Sequence, residues 1–163
     1  MYTFLTDTPL GQIRAAAEDE LIQGLWFTGQ KYFPLDIETW KEKPDYPAFR
    51  ALKTWLKNYF KGQNPEKNFS YLCSGTDFQV EVWTQLSNIP YGKTTTYGAI
   101  AARLISEGKK ASGQAVGGAV GHNPISILIP CHRVLGANGS LTGYAGGLDR
   151  KRALLELEGV RGF

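Results

Sequence analysis

The chain has 163 residues, of which 18 are Lys or Arg and 15 are Asp or Glu, so its formal net charge is +3. This length allows one domain, or two small ones, with a buried core. No stretch approaches the roughly 18 consecutive apolar residues of a membrane helix, and the N-terminus lacks the features of a secretory signal. We therefore expect a cytoplasmic protein with no membrane association.

The positive charge is unevenly distributed. Residues 1–75 carry nine cationic and nine anionic side chains, whereas residues 76–163 carry nine and six. This excess favours a polyanionic partner, although solvated surfaces often vary as much. The two cysteines and two histidines lack zinc-site spacing, which predicts free thiols and no metal site. Cys73 is interpreted as a small buried hydrophobe.

Alternating apolar residues in YTFLT, QIRAAAE and LIQGLWF predict three antiparallel strands separated by turns. Pro34, Pro44 and Pro47 predict an irregular loop over residues 31–47. The spacing of apolar residues in PAFRALKTWLKNYFKG predicts a packing helix, and NFSYLCSG predicts one more strand.

A change to helical composition after Gly75 places a domain boundary there, giving an α/β domain over 1–75 and a second domain over 76–163. The second domain opens with the predicted helix DFQVEVWTQLSNI, for which Thr76 or Asp77 can serve as the N-cap.

Two further helices are predicted in the second domain. YGAIAARL follows Thr95 or Thr96, either of which can cap it, and ASGQAVGGAVGHN follows a short basic loop. The second of these segments has almost no side-chain bulk. Helix propensity argues against a helix here, because each interior glycine destabilises a helix by about 1 kcal/mol relative to alanine. A helix this rich in glycine indicates close approach of its backbone to a neighbouring helix or to a ligand. The two predicted helices with the turn between them suggest a helix-turn-helix.

The reactive side chains are concentrated in the segment ISILIPCHRVLG. It begins as an apolar run, predicted to be a buried strand, which ends in Cys131, His132 and Arg133. Nearby imidazole or guanidinium lowers the thiol pKa from about 8.5. A carboxylate on one histidine nitrogen leaves the other free to take the thiol proton, directly or through water. Glu156 and Glu158, near the end of a last predicted helix, are both candidates. The alternative for Cys131 is a buried hydrophobe.

IPCHRV, preceded by AVGGAVGHNPISIL and followed by GSLTGYAGGLDRKRALLELEG, resembles the O6-alkylguanine-DNA alkyltransferases, above all the bacterial methylated-DNA-protein-cysteine methyltransferases. The resemblance runs from about Asp77 to Gly159, and TPLGQIRAAAEDELIQGLWF is similar to the family's first domain. It implies an α+β fold, in which an N-terminal antiparallel-sheet domain of ribonuclease-H-like type precedes a mostly helical C-terminal domain with a helix-turn-helix.

The resemblance also implies the function. A monomer without cofactors binds double-stranded DNA in the minor groove, flips out an O6-alkylguanine, and transfers the alkyl group irreversibly to its own cysteine. Whether O4-alkylthymine is repaired stays open.

Carried over position by position, the resemblance makes Cys131 the acceptor, His132 the proton relay and Glu158 the carboxylate that orients it. Asn123 braces the site, and Tyr97 helps rotate a phosphate and donates to the flipped base. The alkyl pocket is assigned to Tyr144, Pro130, Val134 and Ala145. DNA contacts are assigned to Gln114, Ala115, Gly117, Gly118, Ala119, Arg133, Lys109 and Lys110, the last three as candidates for phosphate contacts or bracing.

The sequence departs from the family at Gln114, where familiar members insert an arginine into the base stack. A glutamine can fill the gap but carries no charge, so weaker DNA affinity is a hypothesis. Three alternatives are a silent lesion-binding protein, a cysteine hydrolase and a transcriptional regulator. The presence of Cys131 argues against a silent lesion-binding protein. The direct adjacency of Cys131 and His132 is unusual for a cysteine hydrolase. A transcriptional regulator would need a sensor segment, and none is evident.

Overall fold

The first three strands form an antiparallel meander: β1 (Tyr2–Thr8), β2 (Gly11–Glu18) and β3 (Leu21–Phe27). Asp19 and Glu20 join β2 to β3 with φ angles of 50° and 62°, which suits the twist of a two-residue hairpin. The predicted strands and turn are therefore confirmed.

One helix packs on this sheet through its apolar side. α1 (Pro47–Tyr59) begins at a proline, whose missing N–H costs nothing in a first turn. Its buried side chains are those of Phe49, Leu52, Trp55, Leu56 and Tyr59. They recur at helical spacing, as the sequence pattern predicts.

Two predictions for the first 74 residues need correction. The loop over residues 31–47 contains a 3-10 turn (Ile37–Thr39) and a short strand, β4 (Lys41–Glu42), which pairs in parallel with β1 at the sheet edge. NFSYLCSG forms no strand, because only a single bridge joins Tyr71 to Ile22. Hydrogen bonds from a neighbouring strand, rather than local propensity, decide such short segments.

The remaining residues are mainly helical. The helices are α2 (Asp77–Ser87), α3 (Tyr97–Ser106), α4 (Gly113–Gly121) and α5 (Leu148–Leu157). β5 (Thr95–Thr96) and β6 (Val134–Leu135) form a two-stranded parallel pair. This order of an antiparallel meander followed by helices is the predicted α+β architecture.

Side-chain caps define where the helices begin. Thr76, not Asp77, caps α2 in a reciprocal capping box with Gln79, and Thr96, not Thr95, caps α3. The Ser112 hydroxyl accepts a hydrogen bond from the Ala115 amide at the start of α4.

α4 is held by backbone as much as by side chains. The indole Nε1 of Trp83 on α2 donates to the carbonyl oxygen of Ala119 at 2.9 Å in a buried environment. Val116, Ala119 and Val120 form the buried side of α4. The glycines of this helix thus do not prevent its formation, because tertiary packing outweighs their low propensity.

ISILIP is buried as predicted but is not a strand. The segment turns repeatedly, with hydrogen bonds from Leu128 N to Ser126 O and from Ile129 N to Ile125 O. Ile127 has a φ of 70°, a conformation that is unusual for a β-branched residue. A β-branched apolar run indicates burial, and here the polar side chain of Asn123 decides the local conformation.

All 163 residues are described by the computed structural model, and their contacts group them into two units, residues 1–74 and 75–163. Each unit contains its own set of buried apolar side chains. None of the helices has the length and apolarity that crossing a membrane would require.

Candidate active site

Cys131 opens a 3-10 turn, Cys131–Arg133, and only 4% of its surface is exposed. The buried Asn123 holds the approach to this turn. Its Nδ2 donates to Ile129 O at 2.8 Å, and its Oδ1 accepts from Ile125 N at 3.0 Å. The amide also interacts with the thiol. Asn123 therefore links the exit of α4 to the cysteine.

The carboxylate at the end of α5 is that of Glu158, which joins two residues of the cysteine turn. Its Oε2 lies 2.5 Å from His132 Nε2, and its Oε1 accepts from Arg133 Nε at 2.7 Å. Arg133 Nη1 donates to Ile89 O at 2.7 Å. Glu156 is exposed, so the structure decides between the two glutamates that the pattern left open.

Electrostatics determine which nitrogen of His132 carries the proton. Burial disfavours a charged Glu158, but the hydrogen bonds from His132 and Arg133 and the charge of Arg133 outweigh it and lower the carboxyl pKa to about 2. Burial lowers the pKa of His132, more than Glu158 raises it. An ionised carboxylate can only accept, so neutral His132 is protonated at Nε2. Nδ1, which is buried and without a hydrogen-bond partner, is then the basic nitrogen.

The thiol of Cys131 is protected rather than pre-ionised. Burial raises its pKa, and contacts with Asn123, Lys151 and Tyr144 reduce that increase without cancelling it. The thiol is therefore mainly protonated at neutral pH and needs a base to become a nucleophile.

Lys151 is a site residue that the sequence-based interpretation missed. Its ammonium is fully buried and donates to the carbonyl oxygens of Val134, Thr142 and Gly143 at 2.5, 2.8 and 2.9 Å. Burial lowers its pKa to about 8, which leaves the charged form dominant at pH 7. A signal was available, because Lys151 precedes Glu158, the residue just after α5, by seven residues, and this spacing of about two helical turns puts the two on the same side.

Two tyrosines lie near the site, Tyr97 at the start of α3 and Tyr144 on the loop after β6. Tyr97 Oη donates to Thr142 O at 3.1 Å, and the Lys151 ammonium stands 5.7 Å from the centre of the Tyr97 ring. Tyr144 has a buried hydroxyl without an ordinary hydrogen bond, yet it lies near enough to Cys131 for each to shift the other's pKa. Burial raises both tyrosine pKa values, and both remain protonated donors.

The other predicted pocket residues lie along the same stretch of chain. Pro130 and Val134 are buried, and Ala145 is partly exposed next to Tyr144. No group of three or more His, Cys, Asp or Glu side chains is arranged to hold a metal ion.

The residues predicted to contact DNA separate into two groups. Gln114, Ala115 and Gly118 are exposed on α4, and a Cβ added at Gly118 would meet nothing within 4 Å. Gly117 is partly exposed beside Tyr97, and Lys110 is exposed.

Three of the predicted DNA contacts need correction or qualification. Ala119 is buried and faces α2 through the bond from Trp83, so it is a packing residue. Arg133 is buried and its guanidinium donates to Glu158 and to Ile89 O, which fits bracing, the other role predicted for it. Lys109 is exposed but paired with Glu81 and Glu107.

We predict that Glu158→Gln destabilises the protein at pH 7 by roughly 3 kcal/mol, since the carboxyl pKa falls from 4.5 to about 2 on folding. This contribution is present above pH 4.5 and is lost as the pH falls toward 2. The difference from wild type should therefore narrow on acidification, in urea unfolding measured from pH 7 to pH 3. Glu156→Gln is the control, and a pH-independent difference for Glu158→Gln would contradict the assignment.

We predict that Lys151→Met, which removes three hydrogen bonds to buried carbonyls, speeds amide hydrogen exchange in residues 136–147 at least tenfold. Exchange should be followed by mass spectrometry of peptides. The exposed neighbour supplies the control, Arg152→Met. An increase spread evenly over residues 75–163 would indicate general destabilisation and not a loop-positioning role.

Comparison with known proteins identifies the two halves separately. Residues 1–72 match the family model described as 6-O-methylguanine DNA methyltransferase, ribonuclease-like domain, and residues 77–160 match the DNA binding domain of the same enzymes. A methylated-DNA--protein-cysteine methyltransferase of Mycobacterium bovis is 45% identical over 95% of this chain and 90% of its own length. One from Methanosarcina acetivorans is 42% identical over 98% and 99%.

Solved structures agree. The Mycobacterium tuberculosis OGT crystallised in complex with DNA superposes with a TM-score of 0.87 at 41% identity, covering 97% of this chain and 92% of that one. Matches to both family models, together with this likeness over nearly the whole length, show that the chain belongs to the 6-O-methylguanine DNA methyltransferase family.

Proposed function

We propose that this protein repairs O6-alkylguanine in double-stranded DNA by transferring the alkyl group to Cys131, once per molecule. The observation that carries the proposal is the hydrogen bonding of His132, from which its tautomer follows. Its Nε2 is held by the ionised Glu158, and its Nδ1 is left as a buried base in the residue next to a protonated thiol. The thiol of Cys131 becomes a nucleophile only when Nδ1 of His132 accepts its proton.

The reaction begins when Nδ1 of His132 accepts the Cys131 proton, directly or through water. The imidazolium that forms is stabilised by Glu158, whose pKa of about 2 keeps it ionised. The Lys151 ammonium stabilises the thiolate, since the two groups interact electrostatically. The positive charge on the imidazole and the negative charge on the sulfur thus form beside groups that already compensate them, Glu158 and Lys151.

Sulfur then attacks the alkyl carbon, a carbon–sulfur bond forms and the bond to O6 of guanine breaks. The electron pair leaves with the guanine oxygen, and Tyr97 is the candidate proton donor because its hydroxyl stays protonated. To act there, Tyr97 must exchange its bond to Thr142 for one to the base.

The product is a thioether, which water does not readily hydrolyse. Cys73, the other thiol, lies in residues 1–74, and burial raises its pKa to about 11. It is thus a poor nucleophile at neutral pH, and nothing in the site restores Cys131. One equivalent of lesion therefore consumes one molecule of protein.

DNA binding is assigned to α3 and α4 as a helix-turn-helix, with the exposed side of α4 against the minor groove. Ala115 and Gly118 give a surface with little bulk, which permits close approach to the sugars. Gln114 is proposed to fill the space that the flipped nucleotide leaves. We propose that the protein acts as a monomer in the cytoplasm.

We predict that the protein gains about 14 Da on the Cys131 peptide when mixed with excess duplex DNA containing one O6-methylguanine, and stops at one equivalent. Intact mass and peptide mapping over time measure this. Cys73→Ser should react fully and Cys131→Ser should not react.

Two outcomes would contradict this function. Binding of the lesion without any change in mass would favour a silent lesion-binding protein. A second equivalent of methyl on Cys73, or turnover beyond one equivalent, would contradict a single acceptor.

We predict that Gln114→Arg binds undamaged duplex DNA more tightly than wild type, because it adds one cation on the exposed side of α4. Titration at low and high salt should show a gain that shrinks as salt rises, since each phosphate contact changes the slope of log K against log salt by about 0.9. Gln114→Met is the uncharged control. Equal binding by Gln114→Arg and wild type would show that position 114 does not limit affinity.

A further inference from the structure

The chain from Tyr46 to Pro65 segregates charge within the first unit. It carries four cationic side chains and no carboxylate, although residues 1–74 contain equal numbers of cationic and anionic residues. The four residues, here called the basic face, are Arg50, Lys53, Lys57 and Lys61. All four are exposed.

The helix arranges Arg50, Lys53 and Lys57 in one row, and Lys61 follows just after its end. α1 buries Phe49, Leu52 and Leu56 on one side, and the cations recur three or four residues apart on another. At 1.5 Å per residue, the part of the row on α1, from Arg50 to Lys57, extends roughly 10 Å, and Lys61 follows two residues after the helix ends. One strand of B-DNA presents a phosphate about every 3.4 Å along the axis, so a row of this length can face several phosphates.

Three of the four cations are free to bind. Arg50, Lys57 and Lys61 form no ion pair within the chain. Lys53 differs, because its ammonium donates to Pro44 O and stands 4.7 Å from the centre of the Phe4 ring.

A groove of about 490 Å³ runs beside the basic face, between α1 and the turn from β1 to β2. Lys53, Lys57 and Lys61 line it on the α1 side, and Asp7 is the only carboxylate among its lining residues. The local charge therefore favours an anion. No large apolar side chain is exposed between residues 46 and 65, so the face lacks the anchors typical of protein interfaces.

We propose that the basic face of α1 binds the sugar-phosphate backbone of duplex DNA, as a second contact surface separate from α4. The inference rests on the proposed function for the identity of the polyanion. Its contribution is electrostatic and independent of sequence, because ammonium and guanidinium groups on an exposed helix meet phosphates and no base edges. This surface adds affinity for undamaged DNA and plays no part in the alkyl transfer.

The test compares the full-length wild type with the triple variant Arg50→Gln, Lys57→Gln, Lys61→Gln on an undamaged duplex of about 40 base pairs, over about 50 to 200 mM KCl. We expect at least about tenfold weaker binding at the lowest salt and a salt slope shallower by about 1 to 3. The control removes the same charge from other exposed sites of this unit by Lys31→Gln, Lys41→Gln, Lys67→Gln, and should bind like wild type.

Three results would overturn the proposal. Equal losses in both triple variants would indicate a general effect of net charge, and unchanged binding in the first would show that the face does not meet DNA. Loss of binding to single-stranded RNA or poly-glutamate with unchanged duplex binding would assign the face to another polyanion. Methyl transfer to Cys131 on a short lesion duplex, measured in the same proteins, tests the proposed function separately, since neither variant should change its stoichiometry.

Discussion

The buried carboxylate of Glu158 is the interaction on which the second unit's site depends. It accepts from His132 and from Arg133, two adjacent residues of the cysteine turn, and it lies just beyond the end of α5. A charge in this position would be costly alone, but the guanidinium beside it compensates. The contacts of Glu158 with His132 and Arg133 set the imidazole tautomer and attach the last helix to the cysteine turn. One carboxylate therefore serves both the fold and the chemistry.

Burial gives the nucleophile its selectivity. An exposed thiolate would react with many electrophiles, whereas burial raises the pKa of Cys131 and keeps it protonated. The groups that favour the thiolate, chiefly Asn123 and Lys151, lower that pKa only in part. Reactivity then waits for a substrate that places its alkyl carbon against the sulfur while His132 takes the proton.

Lys151 connects this chemistry to the loop that follows β6. Its three donors hold the carbonyls of β6 and of the loop that carries Tyr144, and its charge acts on the thiol. Tyr97 holds the same loop from α3. Hydrogen bonds from Lys151 and Tyr97 to the carbonyls of this glycine-rich loop explain how it keeps a defined position beside Cys131.

The sequence by itself determined the strands of the meander, the helices and the cluster at Cys131, because these depend on local periodicity, turn residues and neighbouring side chains. The resemblance singled out Glu158. Only the tertiary structure showed that ISILIP is a series of turns, that Ala119 and Arg133 face inward, and that Lys151 is buried. Burial of a polar group depends on partners distant in the chain, such as Ile89 for Arg133 or Trp83 for Ala119, and no local pattern records where those partners lie.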